Sequence, residues 1–244
     1  MRNGLATSAR GARALAMAAL LIAAAVPIAE AATVTLLQRP VEVKRAGQSK
    51  WLPLKAGDEV NEGDSIRTGH GGRVELTIIE KRVFRVGEAS EITLDQMVLR
   101  DGNLQGKVRV LLGRLWTSIL TPLRFGSGGE RFSVETSVAT MGIKGTRFGV
   151  DFDGKTQTLQ ATVLEGQVEA NPPAAVLAPR TEIAGPRPVA PPQEITEQEW
   201  VLLVSADQKL IFLPGQEPKV VPVTAEDRAD EWVRFNDQRD REMR

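Results

Sequence analysis

The sequence predicts an all-β fold, a sandwich-like or helically wound domain of many short strands, followed by a short C-terminal α-helix. Three observations predict it. Apolar and polar residues alternate with a period of two, glycine and aspartate turn signals recur at short intervals, and no stretch between Thr33 and Ala170 sustains an amphipathic helical pattern.

Taken in order, residues 1–31 read as an export signal. Arg2, Arg10 and Arg13 form a positive start, Ala14 to Val26 an apolar run of 13 residues, and Ala29-Glu30-Ala31 a small-x-small cleavage site. Spanning a bilayer takes about 20 apolar residues, so the run is too short for a transmembrane helix; the alternative is an uncleaved anchor. Cleavage removes three arginines and one glutamate, so the 31 basic and 31 acidic residues become 28 and 30. The mature chain is then nearly neutral, has no membrane span and is expected in the periplasm. Its charge balance lacks the basic excess of nucleic-acid binders. With no cysteine among 244 residues, stability rests on a core that the 42% hydrophobic share can fill.

Residues 33–170 are the expected β domain. Val74, Leu76 and Ile78 oppose Glu75 and Thr77, and Leu159, Ala161 and Val163 oppose Gln160 and Thr162, as half-buried strands require. Turn signals stand at Gly57-Asp58, Gly63-Asp64, Gly71-Gly72, Asp101-Gly102 and Asp153-Gly154. Residues 171–194 read as an exposed linker or inserted loop, because residues 172 to 192 hold seven of the 14 prolines. Residues 195–244 are expected to add strands and a helix that pack on the β domain. "WVLLVSADQKLIFLPG" predicts strands with a turn near Ala206-Asp207, and Pro222 makes "KVVPV" an edge strand. Thr224 suits a helix cap, Glu226 and Asp227 suit its first turn, and Ala225, Ala229, Trp232 and Phe235 fall near one face.

"TSVATMGIKGTRFGV", residues 136 to 150, has the composition of a phosphate loop but the wrong order: Lys144-Gly145-Thr146 lacks the required spacing, and period-two residues follow. A turn or bulge explains it better, with Gly142 and Gly145 allowing positive φ or close strand approach while Ile143, Phe148 and Val150 bury and Thr146 bonds nearby backbone. Asp151 to Gly154 lacks the later ligands of a calcium loop and reads as a hairpin turn. His70, in an expected exposed loop, has no cysteine or second histidine for a zinc site. No Gly-x-Ser-x-Gly elbow is present. A paired-carboxylate hydrolase needs only two acids brought together, but Trp51, Trp116, Trp200 and Trp232 do not cluster as a sugar platform would and read as core or edge anchors. No catalytic, cofactor or metal residue is predicted, and the chain is read as a non-enzyme.

Five pieces in order, "AGDEVNEGDSIRTGHGGRVELTI", "FRVGEASEITL", "GRLWTSI", "FSVETSVATMGIKGTRFGVDF" and "ATVLEGQVEA", resemble the FecR domain family over residues 40 to 170. The family's pattern of valine, arginine, glycine, threonine, a variable and often acidic residue, and phenylalanine falls here on Ile143, Lys144, Gly145, Thr146, Arg147 and Phe148. Lysine for arginine keeps the charge and loses the planar fork, and Arg147 reverses the sign where an acid is common. The two cations should seek solvent, internal acids or a partner. The resemblance implies an exported, non-catalytic β module that signals or scaffolds through an envelope protein, with Lys144 and Arg147 as possible partner contacts. Full transducers of the family add a cytoplasmic anti-sigma segment and a membrane helix; neither is expected here, so this chain is not expected to pass a signal to a sigma factor itself. The alternative is a structural protein that binds envelope polysaccharide or peptidoglycan.

Overall fold

The computed structural model describes residues 28–29, 31–79, 82–100, 103–119, 131–171 and 201–243. Most of the predicted export signal (1–27) and of the proline-rich segment (172–200), including Trp200, lies outside the described residues. The fold is all-β with two C-terminal helices. Its strands are β1 (Ile28–Ala29), β2 (Ala32–Gln38), β3 (Val41–Lys44), β4 (Trp51–Pro53), β5 (Glu59–Val60), β6 (Ser65–Thr68), β7 (Arg73–Thr77) and β8 (Arg82–Val86). After them come β9 (Glu91–Arg100), β10 (Asn103–Ile119), β11 (Arg131–Glu135), β12 (Thr140–Asp153), β13 (Thr158–Asn171), β14 (Leu202–Ser205), β15 (Gln208–Phe212) and β16 (Lys219–Pro222).

All strands join one sheet folded over on itself. One layer runs β16-β15-β13-β12-β10-β8-β7-β2-β5, and the other runs β14-β13-β12-β11-β10-β9-β6-β3-β4. The long strands β10, β12 and β13 appear in both. Thus β10 pairs through Asn103 to Leu112 with β9, then through Leu115 to Ile119 with β8. The inward residues of both layers form one core, in which Phe84 of β8 stacks on Phe132 of β11 with ring centroids 4.6 Å apart.

Strands cross from layer to layer at bulges, which bend a sheet by giving one strand an extra residue. Lys144 pairs with Gln167 but Arg147 with Glu165 and Phe148 with Val163, so the ladder slips at residues 145–146 of one strand and at 166 and 164 of the other. Gly145 (φ 57°) and Gly166 (φ 80°) sit at that slip in left-handed conformations, and a Cβ on Gly166 would stand 2.2 Å from the Gly145 carbonyl oxygen. The expected turn at Ala206-Asp207 is present but does not reverse the chain: Ser205 pairs with Gln167 and Gln208 with Val163, so β14 and β15 continue in one direction along β13, with Asp207 (φ 63°) at the bend between them.

The stretch from residue 136 to 150 is therefore a corner of the fold. Ile143 and Phe148 flank it and are buried. Gly142 has neither positive φ nor a close neighbour; an added Cβ would meet nothing nearer than 3.8 Å. Thr146 is fully buried, and instead of bonding backbone its hydroxyl has no hydrogen-bond partner. Replacing an unsatisfied buried hydroxyl by a methyl of the same shape removes a desolvation cost, so Thr146→Val is expected to raise the unfolding free energy by about 1 kcal/mol. A denaturant midpoint equal to or below that of the unchanged chain would contradict this.

The aspartate turns have structural occupations. Asp64 accepts from Arg45 Nη1 (2.7 Å) and the amides of Ala46 and Asn61, Asp58 from the Lys55 amide, and Asp153 from the amides of Lys155 and Thr156 in the β12–β13 hairpin. Those two amides hold the Asp153 carboxyl below its ordinary range.

The C-terminus differs from the single predicted helix. Helix α1 (Ala225–Ala229) is closed by a capping box between Thr224 and Asp227, and α2 (Glu231–Glu242) starts afresh from Asp230, whose side chain accepts the Val233 amide. Ala225 and Ala229 lie in α1, which buries nothing. The packed face belongs to α2 and comprises Trp232, Val233, Asn236 and Asp240.

Candidate functional site

Alternation along the strands sets the site. In β7, Val74 and Leu76 face the core, so Arg73 and Glu75 face outward; in β8, Phe84 and Val86 point in and Arg85 points out. Trp116 of β10 and Arg147 of β12 share this outer face, and α2 lies across it. Trp116, Trp232 and Val233 form a small second core there, supported by Leu164 and Phe235.

Under the helix lies a buried ion network. Arg85 donates from Nε to Glu75 Oε2 (2.7 Å) and from Nη1 to Asp240 Oδ1 (2.6 Å), and all three side chains are at most 3% exposed. The second Asp240 oxygen accepts from Trp116 Nε1 (3.0 Å), and Glu75 Oε1 accepts from the Thr35 hydroxyl (2.8 Å) and Arg239 Nη2 (3.1 Å). Buried ions offset their desolvation only when their hydrogen-bonding capacity is used in this way.

Burial pushes the Glu75 carboxyl up, but the hydrogen bond and charge of Arg85, helped by Thr35 and Arg239, outweigh it and hold the group below the ordinary 4.5. A carboxyl depressed by folding contributes stability that is present above its unfolded pKa and lost as pH falls through the folded value. The expected result is a denaturant midpoint that drops as pH is lowered below 4.5, with a shallower drop in Glu75→Gln. Parallel profiles for the two chains would refute this assignment.

Beside the network is a cleft of about 250 Å³ lined by Arg114, Trp116, Asp151, Gln160, Asp227, Asp230 and Trp232, among others. Arg114 bridges Asp151 (3.0 Å) and Asp230 (3.0 Å), while Asp227 pairs with Lys209 (2.6 Å). Burial pushes the Asp151 carboxyl up against the pull of Arg114, and Asp230 and Asp153 add to the rise. Asp151 and Asp230 thus share one cation, an arrangement that positions the helix start.

Of the residues singled out in sequence, Ile143, Gly145, Thr146 and Phe148 build the corner, and the side chain of Lys144 lies outside the described residues. Arg147 takes internal acids. Its Nε donates to Glu165 (2.9 Å) and its Nη1 to Asp237 (2.8 Å), with Asp240 4.0 Å away. Burial lowers the Arg147 pKa, but the bonds to Asp237 and Glu165 overcome it and hold the group above its ordinary value. Sequence reasoning missed Arg85, Glu75, Asn236 and Asp240; the available signal was their spacing, since Trp232, Asn236 and Asp240 are four residues apart on one helical face. His70 is exposed and stands 3.1 Å from Glu88. Among the described residues, no group of three or more acids and histidines is placed to hold a metal ion, and no helix is long and apolar enough to cross a membrane.

Comparison with known proteins returned a family match: residues 64–169 fit the family model described as FecR protein. No curated protein matches the chain. Two crystal structures of a candidate anti-sigma factor from Parabacteroides distasonis, at 1.65 and 2.50 Å resolution, are similar, with 16% and 15% identity and TM-scores of 0.47 and 0.44. The matches cover 69% and 66% of this chain and 64% and 61% of those chains, less than two thirds of their length.

Proposed function

Taking residues 64–169 as a FecR domain, we propose that this chain is a periplasmic, non-catalytic signalling and scaffold module that works by binding another envelope protein. The export pattern in residues 1–31 supports the location. The observation that carries the interaction reading is the chemistry of the cleft: Asp151, Asp227 and Asp230 are each in an ion pair with Arg114 or Lys209. Carboxylates paired with cations in this way join the sheet to the helical segment and organise a surface. In this reading residues 33–170 are the β domain, 171–194 a linker or inserted loop, and 195–244 a C-terminal part packed on it. Lys144 remains the proposed partner contact of the signature, while Arg147 holds the helix.

A pull-down from envelope extract, run under conditions that retain known weak complexes, is expected to recover one reproducible protein partner. Recovery of none, together with enrichment of the chain on purified cell wall, would replace this reading with polysaccharide or peptidoglycan binding.

A further inference from the structure

The ion pairs between sheet and helices have a consistent polarity. Arg73, Arg85, Arg114, Arg147 and Lys209 of the strands meet Glu231, Asp240, Asp230, Asp237 and Asp227 of the helical segment. Among the described residues, pairs of the opposite sense, Glu75 with Arg239 and Asp207 with Arg228, are fewer. Moreover, three of these arginines each hold a second acid that belongs to the sheet itself: Arg85 holds Glu75 at 2.7 Å, Arg114 holds Asp151 at 3.0 Å and Arg147 holds Glu165 at 2.9 Å. The sheet acid fixes one side of the Arg85 and Arg147 guanidinium groups by a hydrogen bond and sits beside Arg114 as a close ion pair, and the other donors of all three are directed at a carboxylate arriving from outside. Departure of the helix would therefore leave none of the three without a partner.

Apolar attachment is correspondingly small. Helix α2 buries Trp232 and Val233 against Trp116, with Leu164 and Phe235 only partly buried beside them, and the rest of its buried face is Asn236 and Asp240. An element with few apolar contacts opens at lower free energy than the core.

We propose that the outer face of β7, β8, β10 and β12 is a docking surface for an acidic amphipathic helix with an aromatic anchor, and that α2 occupies it in cis as an exchangeable strap. The partner is a protein presenting such a helix, with carboxylates spaced to reach Arg85, Arg114 and Arg147. This rests on the reading of the chain as a protein-interaction module and adds to it where the partner binds and what it displaces.

The probe is a fluorescein-labelled peptide of residues 224–243, titrated into the full-length chain. In the unchanged chain the resident helix competes at an effective concentration of about millimolar, which suppresses binding of the peptide. The full-length Asp237→Asn/Asp240→Asn variant weakens its own helix and is expected to bind the unaltered peptide at least about tenfold more tightly, with affinity falling as salt rises. A peptide carrying the same two substitutions is expected not to bind. Absence of binding to a variant that still melts cooperatively would overturn the proposal. Should the variant fail to fold, hydrogen exchange on the unchanged chain decides. Amides of α2 exchanging faster than those of Leu115 and Phe148 support a strap, and equal protection overturns it. If the peptide binds but the envelope pull-down recovers no partner, the functional reading fails and the docking surface stands; partners without peptide binding give the reverse.

Discussion

Gly166→Ala is expected to lower the unfolding free energy by about 3 kcal/mol or more, combining a left-handed backbone cost of about 1–2 kcal/mol with an overpacking cost of about 1–3 kcal/mol. The first arises because Gly166 has φ 80°. The second arises because the new Cβ would stand 2.2 Å from the Gly145 carbonyl oxygen and 2.8 Å from Thr146 Cγ2. The nearer obstacle is backbone within a paired strand and cannot rotate away, so two bulges would have to separate. Gly142→Ala, three residues before Gly145, is the internal control: its Cβ would meet nothing within 3.8 Å, and its midpoint should stay close to that of the unchanged chain. Equal midpoints for the two variants in a urea titration would remove the corner from the account of stability.

The second large effect is electrostatic. Arg85→Met leaves Glu75 and Asp240 facing each other under α2 without the cation that both contact, and breaking a buried pair in this way costs about 3–5 kcal/mol. The loss should be read in the environment of Trp116 and Trp232, whose fluorescence reports helix attachment, and in the stability of the whole chain. It should also flatten the pH dependence. With Arg85 gone, burial, the largest influence on the Glu75 carboxyl, is opposed only by Thr35 and Arg239, so the folded pKa moves up toward or past the unfolded one. The stability that this carboxyl contributes above its unfolded pKa shrinks accordingly. Acidification should therefore weaken Arg85→Met less than it weakens the unchanged chain. Arg85→Lys, which keeps the charge without the fork, should fall between them. An Arg85→Met chain that loses stability on acidification as the unchanged chain does would show that Glu75 does not depend on Arg85.

Inward residues could be read from sequence because alternation is local: Val74, Leu76, Leu159, Ala161 and Val163 lie in the core as period two requires. Bulges were harder to read. A left-handed residue such as Asp207 carries the same local signal whether the chain reverses or merely bends, and only the pairing of Ser205 and Gln208 with one strand decides between them. The passage of β10, β12 and β13 through both layers is likewise a matter of partners, not of strand propensity. The site was hidden for a related reason. In "RVFRV", Arg85 occupies the position that alternation assigns to solvent, and what buries it is Asp240, 155 residues further along. Arg147 was recognised as a cation needing acids, but Asp237, 90 residues away, is no sequence neighbour. Polar residues that continue a helical face, as Asn236 and Asp240 do, break the apolar pattern by which packed faces are found.

The shared strands also bear on how the fold would respond to a pull. In a sandwich made of two separate sheets, layers are held by side-chain packing and can slide or peel. Here three strands are common to both, so a pull on the helix-bearing side at Trp116 or Arg147 reaches the far side through unbroken backbone in β10 and β12. Separating the layers would mean tearing ladder hydrogen bonds along the whole length of those strands. Tension borne by a docked helix would thus meet a body that resists as a single piece, and the helix attachment would be the first joint to yield.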